Sequence, residues 1–300
     1  MTSIAAVGTV AFDSIQAPTG EANDILGGSL TYFALAASQF ARVQMVGVVG
    51  TDFEDKHMQV FNRDGIDTSA LERAEGETFR WSGRYFDDMN RRETLALALN
   101  VFESFDPKVP SNVGSDSFVF LANGAPALQA KVLDQIPENR FCLLDTMDFW
   151  IENDRADLEA ILARVDGLVI NDEEAKMLAG RTNLIAAGNH ILSMGPKIVI
   201  VKKGEHGAFL FSTYTHYALP AYPIETVVDP TGAGDTFAGG VMGYLARGGQ
   251  VTISRIKRAM IYGTVMASFC VEKFGPDRLL DVSAAEIQDR YDDFVQFTTP

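Results

Sequence analysis

Asp235 is the residue of this chain best placed to take a proton, because three small residues lead up to it and an apolar helix is predicted behind it. Residues 227–245 read V-V-D-P-T-G-A-G-D-T-F-A-G-G-V-M-G-Y-L. Gly232, Ala233 and Gly234 carry almost no side-chain bulk, so a ligand can approach the backbone, and the unpaired NH groups of a helix start would point at it. That is an anion hole, and a phosphate suits it. A carboxylate beside it, at the helix N-terminus, could receive the proton of a neighbouring hydroxyl. The plainer reading is a helix cap behind a tight turn. A second pair, Asn171 and Glu174, follows a buried strand and sets an amide at a helix start with a carboxylate one turn later. That spacing suits a hydrated Mg²⁺ beside nucleotide phosphates, and it equally fits a capping box. Asp13 lies just past the first strand, at the kind of strand end where α/β sheets bind ligands, or it is an ordinary turn aspartate.

Composition removes several other classes. The 300 residues are 47% hydrophobic and 22% charged, with no apolar run long enough to span a bilayer and no basic region at the N-terminus. A formal net charge of -15 repels polyanions, so nucleic acid and membrane surfaces are poor partners. Cys142 and Cys270 sit far apart in apolar segments, which fits two buried thiols in a reducing cytoplasm better than a disulfide. Four scattered histidines give no zinc spacing.

The elements that must position these residues alternate. Strands are predicted at 3–8, 43–50, 117–122, 141–144, 167–170 and 197–201, and helices at 27–41, 53–64, 126–135, 155–164, 254–271 and 284–297. Such a succession argues for a mainly parallel sheet covered on both faces. Between residues 77 and 102 the pattern switches to alternation around the turn D-D-M-N, which predicts a hairpin, with 13–26 as further strands. These two segments form a small β-lid inside a single domain spanning 1–300. No G-x-G-x-x-G follows the first strand, which argues against a dinucleotide oxidoreductase.

The run D-P-T-G-A-G-D-T-F at 229–237 resembles the C-terminal signature of the PfkB, or ribokinase-like, carbohydrate and nucleoside kinases. Further similarity lies in Gly8 to Asp13, in Gly27 and the helix behind it, in Asn171 to Glu174 and in Lys202 to Gly207. The resemblance implies an α/β ribokinase-like fold and an ATP-dependent kinase in which Asp235 is the base and the backbone of Gly232, Ala233 and Gly234 stabilises charge. By the same resemblance, Asp13, Gly27, Gly28 and Asn123 bind substrate, although Asn123 could instead cap a helix. Asn171, Glu174, Lys202, Gly204 and Gly207 would border ATP and Mg²⁺, with Glu174 acting on the metal through water. Thr264 and Ala267 are the residues expected to flank adenine, K⁺ is expected beside Asp229 and Thr231, and a homodimer is expected to form through the lid. A relative that binds without catalysing would keep the pocket and lose the base, and Asp235 is present.

Three departures bear on the substrate. Tyr32 stands where sugar kinases commonly use Asn, an Asp-x-Asn-x-Arg run gives way to D-T-M-D-F-W at 145–150, and the lid carries Phe79, Trp81 and Tyr85. Fewer polar groups and more aromatic faces favour a ribose-containing nucleoside, phosphorylated on its primary hydroxyl. The competing expectation is a free sugar, with the aromatics merely packing the lid.

Overall fold

The computed structural model describes residues 3–114, 116–138 and 140–299. In chain order the strands are β1 (Ser3–Val7), β2 (Ala11–Ala17), β3 (Gly20–Gly27), β4 (Arg42–Val49), β5 (Ile66–Arg73), β6 (Phe79–Tyr85), β7 (Arg92–Ala98) and β8 (Phe118–Leu121). They continue with β9 (Phe141–Asp145), β10 (Gly167–Asn171), β11 (Ile198–Lys202), β12 (Ala208–Ser212) and β13 (His216–Leu219). The helices are α1 (Ser29–Ala37), α2 (Asp55–Met58), α3 (Pro126–Leu133), α4 (Asp148–Asn153), α5 (Arg155–Leu162), α6 (Asp172–Ala179) and α7 (Leu184–Leu192). The last four are α8 (Ala233–Ala246), α9 (Ile253–Cys270), α10 (Asp277–Asp281) and α11 (Ala284–Thr298).

Nine strands form the central sheet in the order β13-β12-β11-β10-β9-β8-β1-β4-β5, parallel from β11 to β5, with β12 and β13 antiparallel at one edge. Strands buried on both faces read as continuous apolar runs, as in the I-V-I-V of β11. The period of two divides them between two cores: Ile4 and Ala6 of β1 join a cluster with α1, α8, α9 and α11, and Ala5 and Val7 join another with α3 to α7. This is the ribokinase-like fold expected from the sequence.

Four strands, in the order β3-β2-β6-β7, make the small second sheet, whose central pair β2 and β6 runs parallel while the outer pairs are antiparallel. Two local expectations need correction. The helix predicted over 53–64 is only α2 followed by a 3-10 turn at Gln59–Phe61, because Phe53 and Phe61 are both wedged into the core and the segment between them bends. Residues 66–73, for which no element is predicted, form β5, an edge strand parallel to β4. No helix among the described residues is long and apolar enough to cross a membrane.

Candidate active site

The parallel register brings three site residues to one edge. Val169 pairs with Asp145, and Asn171 pairs with Lys202, so β9, β10 and β11 end together with a carboxylate, an amide and an ammonium side by side. Gln129, buried on α3, ties the edge together by donating from Nε2 to the carbonyls of Ala122 and Asp145. Lys202 Nζ lies 3.5 Å from Asp145 Oδ2. It also stands 2.8 Å from where a Cβ on Gly234 would fall, which places the ammonium against the turn that opens α8.

That turn has its shape for two reasons. Gly232 adopts φ 74°, left-handed, and a Cβ there would overlap the ring of Tyr32. The tyrosine that departs from the sugar-kinase pattern thus supports the anion turn from beneath, a role the sequence reading did not foresee. Its hydroxyl is buried without a hydrogen-bond partner, and burial, then the charge of Asp13, holds it well above the usual phenol range. Asp229 fixes the start of the turn: Oδ1 accepts the Thr231 NH at 2.8 Å and Oδ2 accepts the Gly275 NH at 3.1 Å. The Ala233 NH donates to the Pro230 carbonyl at 3.2 Å, which leaves the NH groups of Gly234 and Asp235, without intrahelical acceptors, to meet an anion.

Asp235 stands in the first turn of α8 and stays partly exposed, so a small molecule can reach its carboxylate. Loss of water around it, then the charge of Asp145, pushes its carboxyl up to about 7, against the pull of Lys202 and Arg92. Lys202 answers in kind. Burial alone would lower its pKa, yet Asp145, then Glu174 and Asp235, hold it above the usual ammonium value.

Asn171 and Glu174 form a full capping box: Asn171 Oδ1 accepts the Glu174 NH at 2.8 Å and Glu174 Oε2 accepts the Asn171 NH at 3.0 Å. The bland reading is therefore realised, and it does not exhaust the pair. Glu174 is buried, its carboxyl is pushed up to about 7 by desolvation, and Lys202 and Asp145 act on it next.

On the other side of the turn, Asp13 is 4% exposed and accepts the Gly28 NH, while its carboxylate fills the space a Cβ on Gly27 would need. Burial raises it to about 7, with Asp229 and Asp235 adding to the rise. Asp13 and the paired glycines therefore sit within electrostatic reach of Asp229 and Asp235. Asn123 is engaged differently: Trp150 Nε1 donates to its Oδ1 at 3.0 Å and its Nδ2 donates to Met147 Sδ at 3.1 Å. Gly204 at φ 51° and Gly207 at φ 82° close the short loop after β11. Thr264 is buried and Ala267 partly so on α9, and this helix packs along α8 through Gly240 and Gly263.

The small sheet leans over these groups. Asp13 is in register with Trp81, so the indole and the carboxylate share a face. Tyr85 reaches Thr231, with 3.2 Å between hydroxyl oxygens. Asn90, in the β6–β7 turn, rests where a Cβ on Gly204 would go. Sequence reasoning missed Arg92, whose charge pulls down the carboxyls of Asp235, Asp145 and Glu174. The signal was the pairing across D-D-M-N, which sets Arg92 opposite Tyr85.

A family model described as pfkB family carbohydrate kinase matches residues 1–282. A cytidine kinase of Thermococcus kodakarensis is 27% identical over 258 residues, which are 83% of this chain and 90% of that protein. Two solved structures share the fold. A nucleoside kinase of Burkholderia thailandensis in complex with inosine superposes with a TM-score of 0.80 at 18% identity, over 98% of this chain and 99% of that one. A ribokinase of Thermotoga maritima gives a TM-score of 0.77 at 21% identity, over 97% of this chain and 100% of that one.

Proposed function

The chain belongs to the pfkB family of carbohydrate kinases, and from that premise we propose that it transfers the γ-phosphoryl group of ATP to the primary hydroxyl of a nucleoside. The observation that carries the transfer reaction is the junction of Asp235, the Gly232 turn and Lys202 at one strand edge. ATP with Mg²⁺ supplies the phosphoryl group and an electrostatically neutralised leaving group. The donor set fits them: a helix start with open NH groups, an ammonium against Gly234, and the carboxylate of Glu174 for a metal-bound water. Gly204 and Gly207 border the nucleotide in this reading, with Thr264 and Ala267 at the adenine.

Asp235 takes the acceptor proton as the hydroxyl attacks, and the backbone at 232–235 holds the charge that develops on the transferred oxygens. Asp13 and the Gly27–Gly28 backbone orient the ribose hydroxyls. The small sheet excludes water, so that transfer to the acceptor wins over hydrolysis. A nucleoside rather than a free sugar is favoured by Trp81 on the Asp13 face and by the likeness to the cytidine kinase across most of both chains. Asn123 serves this pocket by holding Trp150 rather than through its own free amide.

Comparing kcat/KM on cytidine, adenosine, inosine, ribose and fructose tests the substrate. A free sugar ahead of every nucleoside by more than about tenfold, roughly 1.4 kcal/mol of transition-state binding, overturns it. Potassium beside Asp229 must share a place already used, since the Thr231 carbonyl accepts the Cys270 thiol at 3.4 Å and both Asp229 oxygens hold NH groups. Equal turnover in K⁺ and in a bulky organic cation removes it from the scheme. Association through the lid would use β7, which is exposed along its length, Leu95 and Leu97 included, and sedimentation of a Leu97→Glu variant tests that contact.

A further inference from the structure

In a chain of net charge -15, one recess of the surface is lined by Arg247, Arg255 and Arg258 together with Tyr244, Tyr262 and Tyr291. Its volume is about 420 Å³, within the range of small-molecule sites. It lies at the C-terminal end of α8, against α9 and α11, while the turn at Gly232 opens the other end of α8. Fourteen residues at 1.5 Å each set the two ends of that helix about 21 Å apart. The recess is therefore separate from the site of transfer.

Cations at a helix C-terminus ordinarily answer its unpaired carbonyls, and Arg255 does so. Its Nη2 donates to the Leu245 carbonyl at 3.1 Å and to the Tyr244 carbonyl at 3.4 Å, and its Nη1 donates to the Gln250 carbonyl at 3.1 Å. Two guanidiniums remain. Arg278 and Arg290, on α10 and α11, both pair with Glu272, whereas neither Arg247 nor Arg258 has a carboxylate partner among the described residues, and both are exposed.

The tyrosines form a column. The ring centroid of Tyr262 is 4.7 Å from that of Tyr244 and 4.4 Å from that of Tyr291, at interplanar angles of 19° and 18°. Stacking covers Tyr262 on both faces and Arg255 lies over Tyr244 at 5.7 Å, so the column presents hydroxyls more than open rings. Arg258 lies against the hydroxyls of Tyr244 and Tyr291, and the charge of Arg247 acts on that of Tyr262. The phenols keep their own protons to donate. Asp292, whose charge also reaches Tyr262 and Tyr291, accepts Gln288 Nε2 at 3.0 Å and stands outside the lining.

We propose that this recess binds the phosphate chain of a small polyphosphorylated molecule and reads the phosphates alone. Two guanidiniums without carboxylates and three hydroxyls converge there, and each guanidinium fork matches a pair of phosphate oxygens. A single carboxylate would leave most of these donors unanswered, and a base finds little open ring to stack on. The recess is independent of the kinase reading, since none of its residues takes part in transfer.

The test is calorimetric titration of tripolyphosphate, without metal or nucleoside, into wild type, Lys202→Met, Arg247→Glu and Arg258→Gln, with thermal melting and turnover alongside. Wild type and Lys202→Met should bind it, and the two arginine variants should weaken binding about tenfold or more. Arg247→Glu changes an exposed side chain, so its turnover and melting temperature should match wild type even where Arg258→Gln loosens the contact of α9 with α11. On Lys202→Met, CTP and ATP should bind within about threefold of tripolyphosphate, and inorganic phosphate more weakly. Binding that Lys202→Met abolishes and Arg247→Glu leaves intact belongs to the site of transfer and overturns the proposal. So does a preference between CTP and ATP beyond about tenfold, or a wild type that does not saturate below about 1 mM. A wild type that phosphorylates neither nucleoside nor sugar overturns the function proposed above, and the comparison of wild type with Arg247→Glu still decides the recess.

Discussion

At the scale of single residues, the working feature of the site is a set of acids kept near neutrality. Asp235 must be ionised to act as a base, and burial together with Asp145 raises it from 3.8 to about 7. The sign is clear: protonated below that value, it cannot accept a proton, so kcat/KM should climb as pH rises through about 7 and level off above it. A pH profile with no limb between 6 and 8 would remove Asp235 as the titrating base. Asp235→Asn keeps shape and hydrogen-bonding capacity but not basicity. Turnover should drop by about a hundredfold or more with nucleotide binding retained, and single-turnover kinetics with a parallel binding measurement check it. Asp235 as a candidate base was legible from D-P-T-G-A-G-D alone, whereas its raised pKa was not, because that depends on burial in the folded chain and on Asp145 from a strand ninety positions away.

At the scale of elements, the turn and the lid each hold a conformation that one substitution should break. Gly232→Ala forces a left-handed φ on a side chain that also overlaps Tyr32, so both stability and turnover should fall, by about 1–3 kcal/mol in the first case. Thermal unfolding reads it, and an unchanged melting temperature would mean the turn re-forms. The lid is anchored at its root by Asp52, whose Oδ1 accepts the Thr78 NH at 2.7 Å and whose Oδ2 accepts Arg80 at 3.0 Å. Asp52→Ala should leave the central sheet intact and loosen β6 and β7. Hydrogen exchange there should speed up, and acceptor-free ATP hydrolysis should rise relative to transfer. The hairpin was legible in the alternation after Phe79, and its attachment to Asp52 was not, since nothing in local pattern marks an aspartate 26 residues upstream as its partner.

At the scale of the whole molecule, the same acids govern stability against pH. Asp13, Glu174 and Asp235 hold protons to about 7 in the folded chain and release them near their ordinary values of 3.8 and 4.5 when unfolded. Folding therefore takes up protons between those limits, and stability falls as pH rises toward 7, by about 1.4 kcal/mol per pH unit for each extra proton held. Asp67 and Glu286, drawn down to about 2 by hydrogen bonds and arginine partners, act the other way and are lost only in stronger acid. A melting temperature lower at pH 7.5 than at 5.5 is the expected result, and a flat or rising curve would contradict it. Sequence by itself determined a mainly parallel sheet covered on both faces, since apolar periodicity and turn residues are local, while the ribokinase-like class and the side chains that could carry the chemistry came from the resemblance borne by the short runs D-P-T-G-A-G-D and N-x-x-E. Only the tertiary structure decided what those side chains face. Tyr32 lies under Gly232, Asn123 is taken by Trp150, and the charge of Arg92 bears on three carboxyls, because strand order and cross-strand register bring together residues that spacing along the chain keeps apart.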